Sequence, residues 1–215
     1  TVTTSISPMR LDNYANLRLT GTYNTSLDGD TIQVAPGTYF ENVAFNGKSI
    51  CLFGDNRATT IIDAGGNGPG IQAIQSLSGS AKVKGFTIQN GQGLVGGYPD
   101  APESSVGGGI FSLYNNVHLE DLRIHSNTAH TGGGAFIYSS DVSQEDLVMK
   151  NVTFDGNIAL DDAGSSALHW QISDQTLVVE DCYFNSNAST NAYQAKNVAS
   201  IFGGNAVLAM NATTF

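Results

Sequence analysis

The chain has 215 residues and a formal net charge of −10 at pH 7, and this length fits a single domain with an elongated core. Nine Lys and Arg residues accompany nineteen Asp and Glu residues, which argues against a nucleic-acid partner. No apolar stretch approaches the roughly 18 residues that a transmembrane helix requires, so the sequence predicts no membrane span.

The N-terminal segment, residues 1–27, is predicted to cap the domain. Ser7 and Pro8 match a helix N-cap followed by proline at the first helical position. A short apolar stripe follows at Leu11, Tyr14 and Leu17. We therefore expect a short helix that covers the unpaired backbone at the start of the structure formed by residues 28–215.

From residue 83 onward, one short phrase recurs along the chain. Its copies begin at residues 83, 119, 149, 179 and 210, so they are 36, 30, 30 and 31 residues apart. The four complete copies are VKGFTIQNG, LEDLRIHSN, MKNVTFDGN and VEDCYFNSN. Inside each copy, apolar residues alternate with residues that would point outward, and a turn of Gly, Asn or Ser ends the copy. This pattern predicts a β-strand. A period of about 20 to 50 residues is typical of a solenoid.

The alternation predicts which side chains point inward and stack from one repeat to the next. The first inward column is Phe86, Leu122, Val152 and Cys182, and the second is Ile88, Ile124, Phe154 and Phe184. Cys182 is therefore expected to act as a small buried hydrophobe. Cys51 belongs to a much earlier repeat, so we expect no disulfide between the two cysteines.

A second strand column, rich in glycine, alternates with the first. Its members are GGGIF (107–111), GGGAF (132–136), GSSAL (164–168) and GGNAV (203–207). Glycine allows tight corners and close backbone approach. Each repeat then holds at least two strands, and neighbouring strands lie about 4.8 Å apart. The sequence thus predicts an all-β fold, a right-handed parallel β-helix.

These repeats resemble those of known proteins. The pattern GG[GA][IL] followed by [FI]xxN resembles the repeats of polymorphic outer-membrane proteins and autotransporter-like surface proteins. DGDTIQVAPGTYFENV (28–43), GKSICLFGDN (47–56) and TTIIDAGG (59–66) resemble the first coils of secreted pectate-lyase-like β-helix proteins. The resemblance implies a secreted or cell-surface protein. It specifies the fold more than the function, because this scaffold carries enzymes, adhesins and fibres alike.

Two polar columns have a structural interpretation. Asn127, Asn157 and Asn187 share one turn position, and their stacked amides resemble the asparagine ladder of pectate lyases. The other column alternates in sign from strand to strand, which favours one register. It consists of Lys84, Glu120, Lys150 and Glu180.

One further column offers oxygen ligands to a metal ion. It consists of Asp121, Asn151 and Asp181. Such oxygens suit Ca²⁺, which an acidic surface attracts. The two aspartates would lie two strands apart, about 9–10 Å, which is too far for one ion without bending of the sheet. The sequence therefore leaves two interpretations open, namely no cofactor or a calcium ion at this column.

The densest polar constellation lies on the outward face of the first strand column. Adjacent strands should place His125 beside Asp155, with Arg123 and Tyr183 nearby. A carboxylate stabilises the charged form of an imidazole and can prepare it for proton transfer, and arginine suits the carboxylate of an acidic sugar. These four residues are the catalytic candidates. The alternative interpretation is a solvated sheet face without catalytic function.

An apolar line is expected on the outward face of the second column. It consists of Phe111, Phe136, Leu168 and Val207, with Trp170 and Tyr138 just beyond. Exposed aromatic rings could stack on sugars or bury against a protein partner. Alternatively, one of the long loops folds over the line, and the longest is the insertion 91–106, which contains Tyr98. The binding candidates are Phe111, Phe136, Trp170, Tyr138 and Tyr98.

The motifs of pectin-degrading enzymes are incomplete in this chain. GTYFENV (37–43) resembles the first motif of pectin methylesterases, but the glutamine, aspartate and arginine segments of that family are missing. Asp121 and Arg123 alone do not make the site of a pectate lyase. We therefore expect a secreted or cell-surface module for adhesion, binding or structural assembly. The alternative is a polysaccharide lyase or glycoside hydrolase, or a fragment of one, that acts on an acidic polysaccharide.

The last copy of the phrase is interrupted at Phe215, which occupies the position of Phe154 and Phe184. A core strand that ended there would expose unpaired backbone together with apolar side chains. We therefore expect further coils, or a second subunit that associates end-on or side-on. A third, less favoured alternative is that one of the long loops, such as 188–200, covers the end. The expected partners are a polysaccharide or another protein subunit.

Overall fold

The computed structural model describes residues 3–6, 26–74, 80–97, 102–139, 146–160, 164–172, 176–190, 198–203 and 207–211. These residues form strands and turns and contain no helix. The strands of the first half are β1 (Thr3–Ile6), β2 (Thr31–Val34), β3 (Gly37–Phe40), β4 (Val43–Ala44), β5 (Cys51–Gly54), β6 (Thr60–Asp63), β7 (Ile71–Ile74), β8 (Ser80–Lys84), β9 (Thr87–Gln89), β10 (Leu94–Val95), β11 (Ser105–Val106) and β12 (Ile110–Leu113). Those of the second half are β13 (Asn116–His125), β14 (Thr128–Ala129), β15 (Ala135–Tyr138), β16 (Leu147–Asp155), β17 (Ile158–Ala159), β18 (Leu168–Ile172), β19 (Thr176–Glu180), β20 (Tyr183–Asn185), β21 (Ala188–Ser189), β22 (Ala199–Gly203) and β23 (Val207–Asn211). The helix predicted near Ser7 lies outside the described residues, and β1 pairs in parallel with β2.

Three parallel sheets account for all the described strands except β10 and β11, which form an antiparallel hairpin. The six-stranded sheet contains β4, β7, β12, β15, β18 and β22, and the three-stranded sheet contains β14, β17 and β21. The remaining twelve strands form the large sheet. From β13 onward the chain visits the large, three-stranded and six-stranded sheets in that order three times before it returns to the large sheet at β23. The predicted fold is thus confirmed as an all-β structure with parallel sheets.

The repeat period sets the register of the large sheet. Leu119 lies opposite Met149, Met149 opposite Val179, and Val179 opposite Met210. These pairs confirm that the phrases predicted from the sequence lie beside one another. The longest spacing pairs Val83 with Leu119, and the additional residues between them include the β10–β11 hairpin.

Both predicted inward columns are buried. Seven of their eight side chains are completely shielded from solvent, and Phe184 is 7% exposed. The rings of Phe154 and Phe184 stack with centroids 5.1 Å apart. Cys182 lies in the same core, where burial raises the pKa of its thiol to about 11, and both cysteines are free. The core also contains residues of the six-stranded sheet, such as Ile110, so the sheets share one apolar interior.

Two columns of left-handed residues form corners in the chain. The first, with φ between 49° and 79°, consists of Gly85, Asp121, Asn151 and Asp181. The second, with φ between 53° and 61°, consists of Asn90, Ser126, Gly156 and Ser186. Gly, Asn and Asp tolerate this conformation better than other residues. Backbone geometry therefore accounts for the residue types of the first column, which includes the three candidate calcium ligands.

The asparagine ladder predicted from the sequence is confirmed. Nδ2 of Asn127 donates to Oδ1 of Asn157 at 3.0 Å, and Nδ2 of Asn157 donates to Oδ1 of Asn187 at 2.9 Å. The same Oδ1 atoms accept the main-chain N–H groups of Asn127 and Asn157. Nδ2 of Asn157 also donates to the carbonyl of Ile124 at 2.8 Å. The amides thus satisfy polar groups of the buried turns and join successive repeats.

The second strand column differs from the prediction in register. Ala135 lies opposite Leu168, so Phe136 lies opposite His169. Leu168 faces the core, and Val207 lies in the large sheet opposite Thr176. Their predicted places in an outward apolar line are therefore wrong. The glycines that guided the alignment have no side chains to select a register, whereas Leu168 must be buried, and a shift of one residue turns it inward.

The expectation of an exposed aromatic line is also wrong. Phe111 is completely buried and Phe136 is 2% exposed. They form a second apolar cluster with Val106, and Leu94 packs against it. Val106 and Leu94 belong to the β10–β11 hairpin, inside the insertion 91–106. The insertion therefore folds over the aromatic side chains, as one of the two interpretations of the sequence proposed.

The remaining binding candidates have different environments. Trp170 is completely buried in the main core, and its Nε1 donates to Oγ of Ser139 at 2.9 Å. Its predicted place on the surface is wrong because the register shift that turns Leu168 inward also turns Trp170 inward. Tyr138 is half-buried and packs edge-on against Tyr114, with ring centroids 5.1 Å apart. Tyr98 lies outside the described residues.

His169 extends the second apolar cluster. Its imidazole stacks on Phe136 with ring centroids 4.6 Å apart and an interplanar angle of 5°. Burial lowers its pKa from 6.5 to about 4. The ring is therefore neutral at pH 7.

Replacing Asn157 with alanine should destabilise the protein by at least about 1–3 kcal/mol, the cost of one buried polar group without a partner. The loss should be this large because the change removes the partners of Asn127, Asn187 and the Ile124 carbonyl together. Asn185→Ala is the control, since this exposed side chain lies outside the ladder, and its effect should stay within about 0.5 kcal/mol. Urea unfolding of both variants measures the difference, and equal losses would contradict the role of the ladder.

The pKa of His169 predicts how stability depends on pH. The unfolded chain binds the proton near pH 6.5, and the folded chain binds it only near pH 4. The contribution of His169 is therefore complete above about pH 6.5, is lost as the pH falls towards 4, and is constant below that value. His169→Gln should consequently show a smaller decrease in the free energy of unfolding between pH 7 and pH 4.5 than the wild type. An unchanged decrease in urea unfolding would refute this assignment.

Candidate functional site

Six neighbouring strands of the large sheet present two columns of outward side chains. These strands are β3, β6, β9, β13, β16 and β20. The first column consists of Thr38, Ile61, Thr87, Arg123, Thr153 and Tyr183. The second consists of Phe40, Asp63, Gln89, His125, Asp155 and Asn185. Residues two apart on a strand face the same side, so both columns share one surface.

A groove of about 340 Å³ opens on this surface. Its floor consists of Ile61, Thr87, Gln89, Arg123, His125 and Thr153, and its wall consists of Arg57 and Ala58. The wall belongs to a turn of residues 55–59, between β5 and β6. Arg57 and Arg123 are the two arginines of the described residues, and both line this groove, which we call the arginine groove.

The turn that carries Arg57 is longer than its counterparts in later repeats. Phe53 lies opposite Lys84 and Ile61 opposite Thr87. The eight positions from Phe53 in β5 to Ile61 in β6 therefore correspond to three positions from Lys84 in β8 to Thr87 in β9. The five additional residues were the sequence signal for this wall, which the sequence analysis missed. Asn56 holds the turn together, since its Oδ1 accepts the N–H of Ala58 and its carbonyl accepts those of residues 59 and 60.

Arg57 connects this turn to two later strands. Its Nη1 donates to the carbonyls of Leu122 at 3.1 Å and of Asn151 at 2.9 Å. Its Nε lies 3.4 Å from Oδ1 of Asp121. The carbonyl of Arg57 accepts a hydrogen bond of 2.6 Å from Oγ1 of Thr87. Arg57 is thus fixed to the groove floor by its main chain and to the corner column by its side chain.

His125 lies opposite Asp155, as predicted from the sequence, but their side chains have other partners. Oδ2 of Asp155 pairs with Nη2 of Arg123 at 2.9 Å, and Oδ1 accepts from Nδ2 of Asn185 at 3.2 Å. Nδ1 of His125 lies 3.0 Å from Oγ of Ser126. The Asp155 carboxylate therefore contacts Arg123 directly, whereas it acts on the His125 imidazole only through its charge.

The pKa of His125 is lowered, which is the opposite of the expected direction. Burial is the main cause, and the positive charge of Arg123 lowers the pKa further. Asp155 and Asp63 act in the opposite direction but do not compensate. Asp63 is itself engaged by Nε2 of Gln89 at 2.8 Å. His125 is accordingly a neutral imidazole at pH 7. Asp155 does stabilise its charged form, as predicted, but burial and Arg123 outweigh that contribution.

The four catalytic candidates do not all meet in the groove. Arg123 and His125 line it, and Asp155 adjoins it through its ion pair with Arg123. Tyr183 lies on the next strand beyond Thr153 and is 48% exposed. At the opposite end of the two columns, Phe40 is 55% exposed. The surface therefore carries polar residues in its middle and an accessible aromatic ring at each end.

The candidate calcium ligands surround no preformed cation site. Oδ1 of Asp121 accepts from Nδ2 of Asn151 at 2.9 Å and faces the guanidinium of Arg57. A calcium ion would require oxygen atoms directed towards it, whereas here an amide N–H and a positive charge are directed towards Asp121. Within the described residues, no group of three or more His, Cys, Asp or Glu side chains could hold a metal ion.

The column of alternating charges lies on the same sheet, away from the groove. Lys84 is 3.5 Å from Glu120, and Lys150 is 2.7 Å from Glu180. The alternation predicted from the sequence is confirmed. Because these pairs are exposed to solvent, each adds little to stability, and we assign them to the register of neighbouring strands.

Comparisons with known proteins assign no function to this surface. The chain matches no protein-family model, and no match was found among curated proteins or solved structures. The described part of the chain has no helix with the length and apolarity that a membrane span requires. The function must therefore be inferred from the chemistry of the groove.

The causes of the lowered His125 pKa can be separated by mutation. Arg123→Gln should raise the pKa of His125 towards 6.5, because it removes a nearby positive charge. Asp155→Asn should lower it further, because it removes a negative charge. Titration of the imidazole by NMR measures both shifts. Shifts of the same sign in the two variants would show that the electrostatic description of the site is wrong.

Proposed function

We propose that the chain is a right-handed parallel β-helix that serves as a binding module of a secreted or cell-surface protein. Three observations support the β-helix, namely the repeated order in which the chain visits three parallel sheets, the register of about 30 residues and the asparagine ladder. Each coil would then contribute one segment to each sheet. The resemblance to pectate-lyase-like proteins and surface repeats is part of the same proposal.

The proposed binding site is the arginine groove, and its proposed ligand is an acidic polysaccharide. The observation that carries this proposal is the presence of two arginines at one groove in a chain with a net charge of −10. Only Nη2 of Arg123 pairs with Asp155, and its other donors have no partner among the described residues. A guanidinium binds carboxylates through directed N–H groups, so Arg123 can take an acidic sugar while it keeps its ion pair.

The shape of the surface suits an extended ligand. Five spacings of about 4.8 Å separate the six strands, so the two columns extend over about 24 Å. Phe40 and Tyr183 lie at the two ends and are about half exposed. Flat aromatic rings provide large apolar contacts at a low entropic cost. A chain of several sugar units could contact both rings while its carboxylates approach Arg123.

The groove supports binding better than hydrolysis. A glycosidase needs two carboxyl groups on opposite sides of the scissile bond, whereas the groove lining contains no Asp or Glu. Asp155, which adjoins the groove, already bonds to Arg123 and Asn185. A second candidate function, polysaccharide lyase, is favoured by one observation, the neutral imidazole of His125 beside Arg123. A neutral imidazole can accept a proton.

Binding of polygalacturonate oligomers tests the proposed function. Arg123→Ala should weaken the affinity about tenfold or more, because a charge-assisted hydrogen bond contributes about 1.5–3 kcal/mol. A neutral galactan of equal length should bind much more weakly to the wild type. Isothermal titration calorimetry measures these affinities. Circular dichroism should show little change in stability, since the Arg123–Asp155 pair is partly exposed to solvent.

Lys150→Ala is the matched control, because this lysine is also ion-paired on the large sheet but does not line the groove. It should leave the affinity nearly unchanged. Equal losses in both variants, or a wild type that binds neither polymer, would reject the groove as the site. Release of unsaturated products by the wild type, lost in His125→Ala, would favour the lyase instead.

A further inference from the structure

One side chain connects the wall of the arginine groove to later strands of the large sheet. Arg57 bonds to Leu122 and Asn151, which lie 65 and 94 residues further along the chain. These two residues belong to β13 and β16, so a single guanidinium ties the 55–59 turn to two strands of the large sheet. The local bonds of Asn56 fix the shape of this turn but do not reach those strands.

The left-handed corner brings together the groups that accept from Arg57. Asp121 and Asn151 occupy neighbouring positions of that column, with φ of 49° and 52°. At this corner the carboxylate of Asp121 and the carbonyls of Leu122 and Asn151 lie within reach of one guanidinium. The amide of Asn151 orients the carboxylate by donating to it at 2.9 Å. The corner thus forms a receptor for a planar group with several N–H donors.

We propose that Arg57 is a positioning residue, and that its contacts with Asp121, Leu122 and Asn151 hold the groove wall at the distance that ligand binding requires. The inference rests on the proposed function of the groove. The two arginines then have separate roles. Arg57 uses Nη1 and Nε on the protein itself, whereas Arg123 directs its remaining donors towards the ligand.

The alternative is that Arg57 acts mainly as a second cation for the ligand. The two roles predict opposite effects of Asp121→Asn. This change removes a negative charge beside the groove, so a purely electrostatic role predicts tighter binding of an anionic polymer. A positioning role predicts weaker binding, because the neutral amide holds the guanidinium less firmly. Asn is compatible with the backbone here, since Asn151 occupies the same column with a similar φ.

The test combines amide hydrogen exchange without ligand and calorimetric titration with polygalacturonate oligomers. We expect Asp121→Asn to accelerate exchange in residues 55–60 and to weaken binding about three- to tenfold, which corresponds to about 0.7–1.4 kcal/mol. Arg57→Lys keeps the positive charge but loses the planar fork, and it should have the same two effects. Both variants should remain folded, because neither side chain belongs to the core and the hydrogen bond from Thr87 to the main chain of Arg57 is kept.

Asp181→Asn is the matched control. Asp181 belongs to the same corner column, with φ of 52°, and is exposed. It lies two strand spacings from Asp121, with β16 between them. This variant removes the same charge. It should leave exchange in residues 55–60 unchanged and should increase the affinity only slightly, because one negative charge is lost.

The results separate this inference from the proposed function. Unchanged exchange in Asp121→Asn, or tighter binding by it, would overturn the positioning role even if Arg123→Ala abolishes binding. Unchanged affinity in Arg57→Lys would overturn it as well, because charge alone would then suffice. If the wild type binds no polygalacturonate but exchange rises in Asp121→Asn and Arg57→Lys, the contacts of Arg57 hold the wall as proposed, and the proposed ligand is rejected.

Discussion

Burial of two continuous columns of apolar side chains fixes how each repeat lies on the next. Leu122 packs in line with Val152, and Ile124 in line with Phe154. A slip of one residue would turn these side chains outward and expose the core. The same constraint places Arg123 and His125 outward and two residues apart on one face. The polar surface is therefore a geometric consequence of the core, and its residues could vary without a change of fold.

The corners connect the core to the groove. Asp121 is in the left-handed conformation that the turn requires, and its carboxylate then becomes a partner for Arg57. One residue thus satisfies a backbone requirement and an electrostatic one. The asparagine ladder has a comparable double role, because Asn157 satisfies the carbonyl of Ile124 while it joins adjacent repeats. In both cases a side chain that suits a turn also connects different repeats, since Asp121 contacts Arg57 and Asn157 contacts Asn127 and Asn187.

The sequence predicts those parts of the structure in which side chains define the register. The columns of Leu122 and Ile124, and the ladder of Asn157, were predictable because apolar and amide side chains recur at a fixed period. The glycine-rich column was misaligned at Leu168 because glycine leaves no periodic side chain to follow. The candidate site was predicted only in part. The pairing of His125 with Asp155 follows from register, but burial, which lowers the pKa of His125, depends on neighbours that no local pattern reveals.

Each arginine of the groove lies beside the carboxylate of a different aspartate. Arg57 lies beside Asp121, and Arg123 pairs with Asp155, so the groove is not a patch of strong positive potential. The surrounding protein has a net charge of −10, which repels an anionic polymer at distances beyond about 10 Å only when the salt concentration is low. If the groove binds an anionic polymer as proposed, the attraction comes from N–H donors at short range, whose strength depends on their direction. Such a site is selective only if its wall and its donors are held in place, which is the role proposed for the paired carboxylates.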